Sequence, residues 1–168
     1  MKRLAVFLGA ALVALAFALP ALADDATPTP VGPYTAKKVD VMLYVDTITS
    51  TRGDVLQKRG CWQTSQFQRG NRVVWRMWAI DTATGKPLTD QELKYAYVKA
   101  PGSPNLAFSY GKHGKLDISP WFWTAVLAVP KDYPLGTVAF KVVVKTKDGK
   151  FGTFEQPADG TSQLTIIP

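Results

Sequence analysis

A chain of 168 residues with 46% hydrophobic and 20% charged side chains, a formal net charge of +7 and a single cysteine has the size and composition of one globular domain. Its basic surplus is thinly spread, with Lys37-Lys38 and the series Arg69, Arg72, Arg76 as the densest groups, which argues against the clustered footprint of a nucleic-acid binder. Cys61 has no second cysteine to pair with, so an intramolecular disulfide is excluded and stability has to come from packing.

Lys2 and Arg3 precede an uncharged apolar run from Leu4 to Leu19, and Pro20 then leads into Ala21-Leu22-Ala23. A positive start, an apolar centre and small residues at a cleavage site spell a signal peptide over 1–23, with the mature chain starting at Asp24. An uncleaved anchor is the competing reading, because the run approaches the roughly 20 apolar residues that cross a bilayer. Pro20 and the Ala-Leu-Ala site favour cleavage. No cysteine follows the run as a lipidation site, and Lys2-Arg3 is not a twin-arginine pair. Cleavage leaves 145 residues with 18 Lys and Arg against 13 Asp and Glu, a net +5. The expectation is a periplasmic or secreted protein with no stable membrane span.

Residues 24–37 hold Pro28, Pro30 and Pro33 and little apolar content, as a tail or linker does; residues 38–168 make the domain. Val39, Val41, Leu43 and Val45 alternate with Asp40, Met42, Tyr44 and Asp46, the period of a half-buried strand. Thr49 to Gly60 is polar and contains Arg52-Gly53-Asp54, a chance adhesion tripeptide in this context. Arg72 to Asp81 is apolar on both faces, as a central strand is. Thr89-Asp90-Gln91-Glu92 has capping-box spacing, but Leu93 to Ala100 alternates, so at most one helical turn precedes a strand. Leu106 to Tyr110 is a short apolar run before a glycine-rich loop, Gly111-Lys112-His113-Gly114. Trp121 to Val129 and Thr137 to Thr146 are the clearest strands. Asp148-Gly149 turns the chain into Phe151 to Glu155, and Gln163 to Ile167 forms a last short strand.

Seven to eight short strands joined by Gly/Pro turns predict an all-β fold, an antiparallel β-sandwich, with a small barrel as the alternative. The segment from Trp123 to Pro130, then Asp132-Tyr133-Pro134-Leu135-Gly136-Thr137, the alternating Val138 to Val144 and Asp148-Gly149 resembles the late strands of bacterial exported immunoglobulin-like (fibronectin type III-like) domains. Phe67-Gln68-Arg69-Gly70 before Val73-Val74-Trp75, with Asp81 and Thr84-Gly85-Lys86-Pro87 after it, is similar to their earlier strand and turn. The resemblance covers about half of the mature chain. It implies an immunoglobulin-like sandwich and neither a catalytic motif nor a ligand.

Chemistry-bearing residues are few. His113 is the single histidine, and neither Ser109 nor Asp117 sits in a nucleophile elbow around it; a loop histidine at the surface is the plainer reading. Glu92 and Glu155 are the only glutamates, too few for a convincing pair of hydrolytic acids. Cys61, His113, Met42 and Met77 are ligand types that copper accepts, but their spacing is not that of a blue-copper domain. Cys61 itself reads as a buried apolar thiol, with a reactive or ligating group, or an intermolecular bridge, as alternatives. Trp121-Phe122-Trp123, together with Trp75 and Trp78, exceeds what one core holds, so aromatic area is expected at the surface as an interface or a sugar-stacking platform.

These observations predict a protein that is not an enzyme and needs no cofactor. It is expected to be an exported interaction module that binds another envelope or extracellular protein, or a complex subunit, through Trp121, Trp123, Tyr110 and His113, with no nucleic-acid partner. A carbohydrate-binding sandwich using the surface aromatics, and a metal or redox accessory protein using Cys61 and His113, are the alternatives.

Overall fold

The computed structural model describes residues 39–50, 61–155 and 164–168. The expected signal peptide, the tail over 24–37, Arg52-Gly53-Asp54 and Gln163 lie outside the described residues. In chain order the strands are β1 (Val41–Ile48), β2 (Gln66–Gln68), β3 (Arg72–Asp81), β4 (Leu93–Lys99), β5 (Leu106–Ala107), β6 (Ser109–Lys112), β7 (Trp121–Ala128), β8 (Gly136–Thr137), β9 (Lys141–Thr146), β10 (Phe151–Glu155) and β11 (Thr165–Ile167). The described residues contain no helix, and the fold is all-β.

Two four-stranded antiparallel sheets, ordered β1-β3-β7-β6 and β10-β9-β4-β5, form the sandwich. Skipping the short β2 and β8, that order is the one in which an immunoglobulin sandwich sets its A-B-E-D sheet against a sheet built on G-F-C. Alternation along each strand decides what each face meets. Val41 and Val45 of β1 and Val73, Trp75 and Met77 of β3 point inward, to meet Val98 of β4 and Val142 and Val144 of β9 in one buried cluster. Trp75 closes edge-on against Phe140, ring centroids 5.6 Å apart. At one edge the sheets come very close, because β10 passes β1 at Gly152: a Cβ there would lie 2.9 Å from the Val41 backbone oxygen.

Four sequence expectations need correction. The strand expected over Thr137–Thr146 is broken into β8 and β9, since Val138 donates its N–H to Leu164 O at 3.0 Å instead and Phe140 dips into the core. The run at 106–110 is also divided. β5 pairs with β4 in the second sheet, β6 pairs with β7 in the first, and buried Phe108, bonded to Ala96 O at 2.9 Å, marks the switch. Gly111 and Lys112 belong to β6 rather than to a loop. Among the described residues the strand segments number eleven rather than seven to eight. Two of the short additions, β2 and β8, join the expected last strand in a separate sheet ordered β2-β11-β8, in which β2 and β11 are parallel. This small sheet buries Phe67 and Ile166 and is tied to the β7–β8 connection through Arg69 Nε to Tyr133 O at 2.6 Å.

Before β4, Thr89 and Glu92 do form a reciprocal cap, with Thr89 N donating to Glu92 Oε2 at 2.7 Å. One turn closes and the chain then enters the strand. Glu92 is held below the usual carboxylate range chiefly by the Thr89 hydroxyl.

Candidate functional site

Trp121 and Trp123 share the inward face of β7, as alternation demands, but their surroundings differ. Trp123 is 6% exposed and donates Nε1–H to Leu88 O at 2.9 Å. Trp121, at the strand entrance, is 53% exposed. Tyr110 stands beside both, with centroid distances of 5.5 Å to Trp121 and 5.1 Å to Trp123, and burial pushes its hydroxyl above the usual range. Three of the four anticipated residues therefore cluster, but Trp123 offers no ring to a ligand. The fourth, His113, lies on the other side of the sheet, stacked on Phe122 at 3.8 Å with the planes 8° apart.

That other side carries a surface the sequence did not single out. Tyr44 on β1 is paired in register with Trp78 on β3, with rings 5.6 Å apart. Trp78 in turn meets Phe122 on β7 at 5.3 Å, and Phe122 meets His113. The result is one row of rings crossing the first sheet, with Tyr44 exposed, Trp78 and His113 half-buried and Phe122 buried between them. The signal was present in the alternation, because Tyr44, Trp78 and Phe122 all occupy outward positions; what the sequence lacked was the register that aligns them.

Beneath this row lies an ion pair. Asp46 and Arg76 are direct cross-strand partners, and the guanidinium grips the carboxylate with both nitrogens, Nε at 2.9 Å from Oδ1. Asp46 is 4% exposed and the Arg76 side chain 25%. The Asp46 hydrogen bond raises the Arg76 proton affinity above its ordinary value. Arg76 also lies over Trp78 and Phe122, its Cζ 5.0 and 5.6 Å from the ring centroids, in cation–π reach. Met42 and Val126 extend the exposed apolar area on this face.

Cys61 is exposed, correcting the expectation of a buried thiol. It sits beside exposed Trp62 in a segment that flanks the edge of β1, held by Trp62 N to Thr49 Oγ1 at 3.0 Å and Thr64 N to Thr47 O at 3.1 Å. Met42 faces outward and Met77 is fully buried in the core, so the two methionines are on opposite sides of the sheet. Among the described residues, no three His, Cys, Asp or Glu side chains gather as a metal cluster. Ser109 is exposed on β6, and Asp117 pairs instead with Lys112 at 3.6 Å.

Asp81, Asp148 and Lys150 form a polar cluster at the end of the sandwich where β3 finishes. Lys150 Nζ is 2.6 Å from Asp81 Oδ2 and 3.4 Å from Asp148 Oδ2. Asp81 is shifted down chiefly by Lys150, Asp148 chiefly by the Thr146 hydroxyl, and Lys150 up chiefly by Asp81. Asp81 also accepts from the backbone N–H groups of Ala83 and Thr84. Its partners are all accounted for within the turns, and the cluster reads as a structural clasp.

No protein-family model matches the chain, and searches of curated proteins and of solved structures return no match. Function has to be argued from the surfaces themselves.

Proposed function

We propose that the chain is an exported, non-catalytic interaction module that binds an envelope or extracellular protein through the outer face of the first sheet. The row Tyr44–Trp78–Phe122–His113 supports this reading most directly. The centres of protein interfaces are enriched in aromatic residues, Met and Arg, and this face presents Tyr44, Trp78, Met42 and Arg76 over the buried Phe122 ring. Arg76 is fixed by Asp46 before any partner arrives, so less side-chain freedom would be lost on docking. The export reading rests on the leader-like pattern of residues 1–23.

Tyr44 supplies the test because it is 53% exposed, so its removal leaves the core alone. A photo-crosslinking residue at position 44 of the exported chain should trap a discrete protein partner. Tyr44→Ala should weaken binding of that partner by about 2 kcal/mol, as a hot-spot ring does, with an unchanged melting temperature. No adduct at 44, or equal binding by Tyr44→Ala, would overturn the assignment. N-terminal sequencing of the exported protein should begin at Asp24, and an intact leader in the membrane fraction would replace export of a free chain by anchoring.

A further inference from the structure

The outer face of the second sheet is built from different chemistry. Its cross-strand rows run Phe151–Lys145–Tyr95, then Thr153–Val143–Tyr97–Ala107, then Glu155–Lys141–Lys99. Tyr95 and Tyr97 lie side by side, centroids 5.7 Å and planes 31° apart. Lys145 Nζ sits 4.5 Å from the Phe151 ring centroid and Lys99 Nζ 5.7 Å from that of Tyr97. The only acid in these rows, Glu155, is paired with Lys141. Lys99 and Lys145 thus have aromatic rings as their neighbours in place of carboxylates.

Lysine is depleted from protein interface centres, so this face does not suit the kind of partner proposed for the first sheet. A bilayer is poorly served as well, since interfacial binding needs an apolar side that sinks several ångströms below the headgroups, and here lysines flank every ring. A ligand that satisfies both components has apolar ring faces and fixed negative charges on one chain. An acidic saccharide polymer fits: its C–H faces lie on aromatic rings and its carboxylates or phosphates reach the ammonium groups. We propose that this face binds an anionic polysaccharide, with Tyr95, Tyr97 and Phe151 stacking on sugar units and Lys99 and Lys145 pairing with their acidic groups. Sugar stacking thereby belongs to the second sheet rather than to Trp121 and Trp123. The inference takes from the proposed function only the exported location, not the protein-docking face.

Affinity electrophoresis of the mature chain through gels containing polygalacturonate, with neutral dextran as the comparison, tests it. Retardation by polygalacturonate alone is expected, fading as salt rises and screens exposed charges. The double variant Lys99→Glu, Lys145→Glu should abolish retardation while its melting temperature stays close to that of the parent. Tyr97→Ala should weaken binding about fivefold, the size of a lost ring contact, and Tyr44→Ala should bind as the parent does. Absence of retardation would overturn the proposal. So would full binding by Tyr97→Ala, which would mean charge alone, or tighter binding to anionic phospholipid vesicles or to single-stranded DNA than to polygalacturonate. Because Tyr44→Ala and Tyr97→Ala lie on opposite sheets, failure here is separable from failure of the protein-docking reading.

Discussion

The outer faces of the two large sheets carry similar numbers of aromatic rings but organise charge in opposite ways. On the first, one buried carboxylate and one arginine neutralise each other beneath a row of rings. On the second, lysines lie over the rings and the single acid is a solvent-exposed pair with Lys141. The difference follows from burial. Asp46 is taken out of water, where a carboxylate without a partner is costly, and it holds its cross-strand neighbour Arg76 in place. Nothing constrains Lys99 or Lys145 in that way, and they stay available. One fold therefore presents a preorganised, nearly neutral face and a basic one.

The largest expected effect undermines the first face from below. The strand that turns Phe122 outward turns Trp123 inward, and Trp123→Ala removes a buried ring and strands the Leu88 carbonyl. A loss of about 4 kcal/mol is expected. Trp121→Ala, at the open strand entrance, should cost less than about 1 kcal/mol. Denaturant midpoints decide it, and equal losses would mean that Trp121 is packed as tightly as its neighbour.

Next in size is the contrast between the two ion pairs. Asp46→Ala leaves Arg76 without its partner under the aromatic row, and a loss of about 3 kcal/mol is expected, the low end for a broken buried pair because Arg76 keeps contact with water. Glu155→Ala on the second face should change stability by less than about 1 kcal/mol. If the two substitutions cost the same, the distinction between the faces collapses.

Gly152→Ala probes the edge where the two sheets meet. An added methyl would press on the Val41 backbone and on the Val144 side chain, with overpacking of about 2 kcal/mol expected. Thr153→Ala, one residue on and exposed, serves as the control. The strain should loosen β1, which carries Tyr44, more than β4, which carries Tyr97; amide exchange rates in the two strands would show it.

How much of this was legible in the sequence depends on what period-two alternation can report. It gave the all-β class, the central place of β3 and the β9–β10 turn at Asp148-Gly149, because each is local. It did not show which rings meet, since the row Tyr44–Trp78–Phe122 depends on register between strands more than 30 residues apart. The parallel pairing of β2 with β11 was missed for the same reason: the two strands are three residues each and nearly a hundred residues apart in the chain. Cys61 departs from the average burial of cysteine because it opens a polar stretch, Gln63, Thr64 and Ser65, that runs along the edge of β1 outside the core. His113 was assigned to the wrong neighbours, as Gly111 and Lys112 continue the strand and carry it to the opposite side of the sheet from Trp121.

The smallest expected effect separates the faces by pH. His113 is the only histidine in the chain and belongs to the first face. Burial against Phe122 lowers its proton affinity below that of an ordinary histidine, a hydrogen bond to the Phe122 backbone opposes this, and the charge of Arg76 adds to the lowering. The unfolded chain takes up the proton near pH 6.5, whereas the folded chain takes it up only at lower pH. Between those values the unfolded state binds more protons, so stability declines as the pH falls. The contribution is complete above about pH 6.5 and disappears as the pH drops through the folded value. The melting temperature should therefore fall slightly between neutral pH and pH 5 in the parent and less in His113→Phe, which keeps a ring on Phe122 without a titrating group. Carboxylates such as Asp81 titrate below this window, since they are shifted downward. An imidazole resonance titrating at or above the ordinary histidine value would break the argument, and equal pH dependence in the variant would assign the effect to another group.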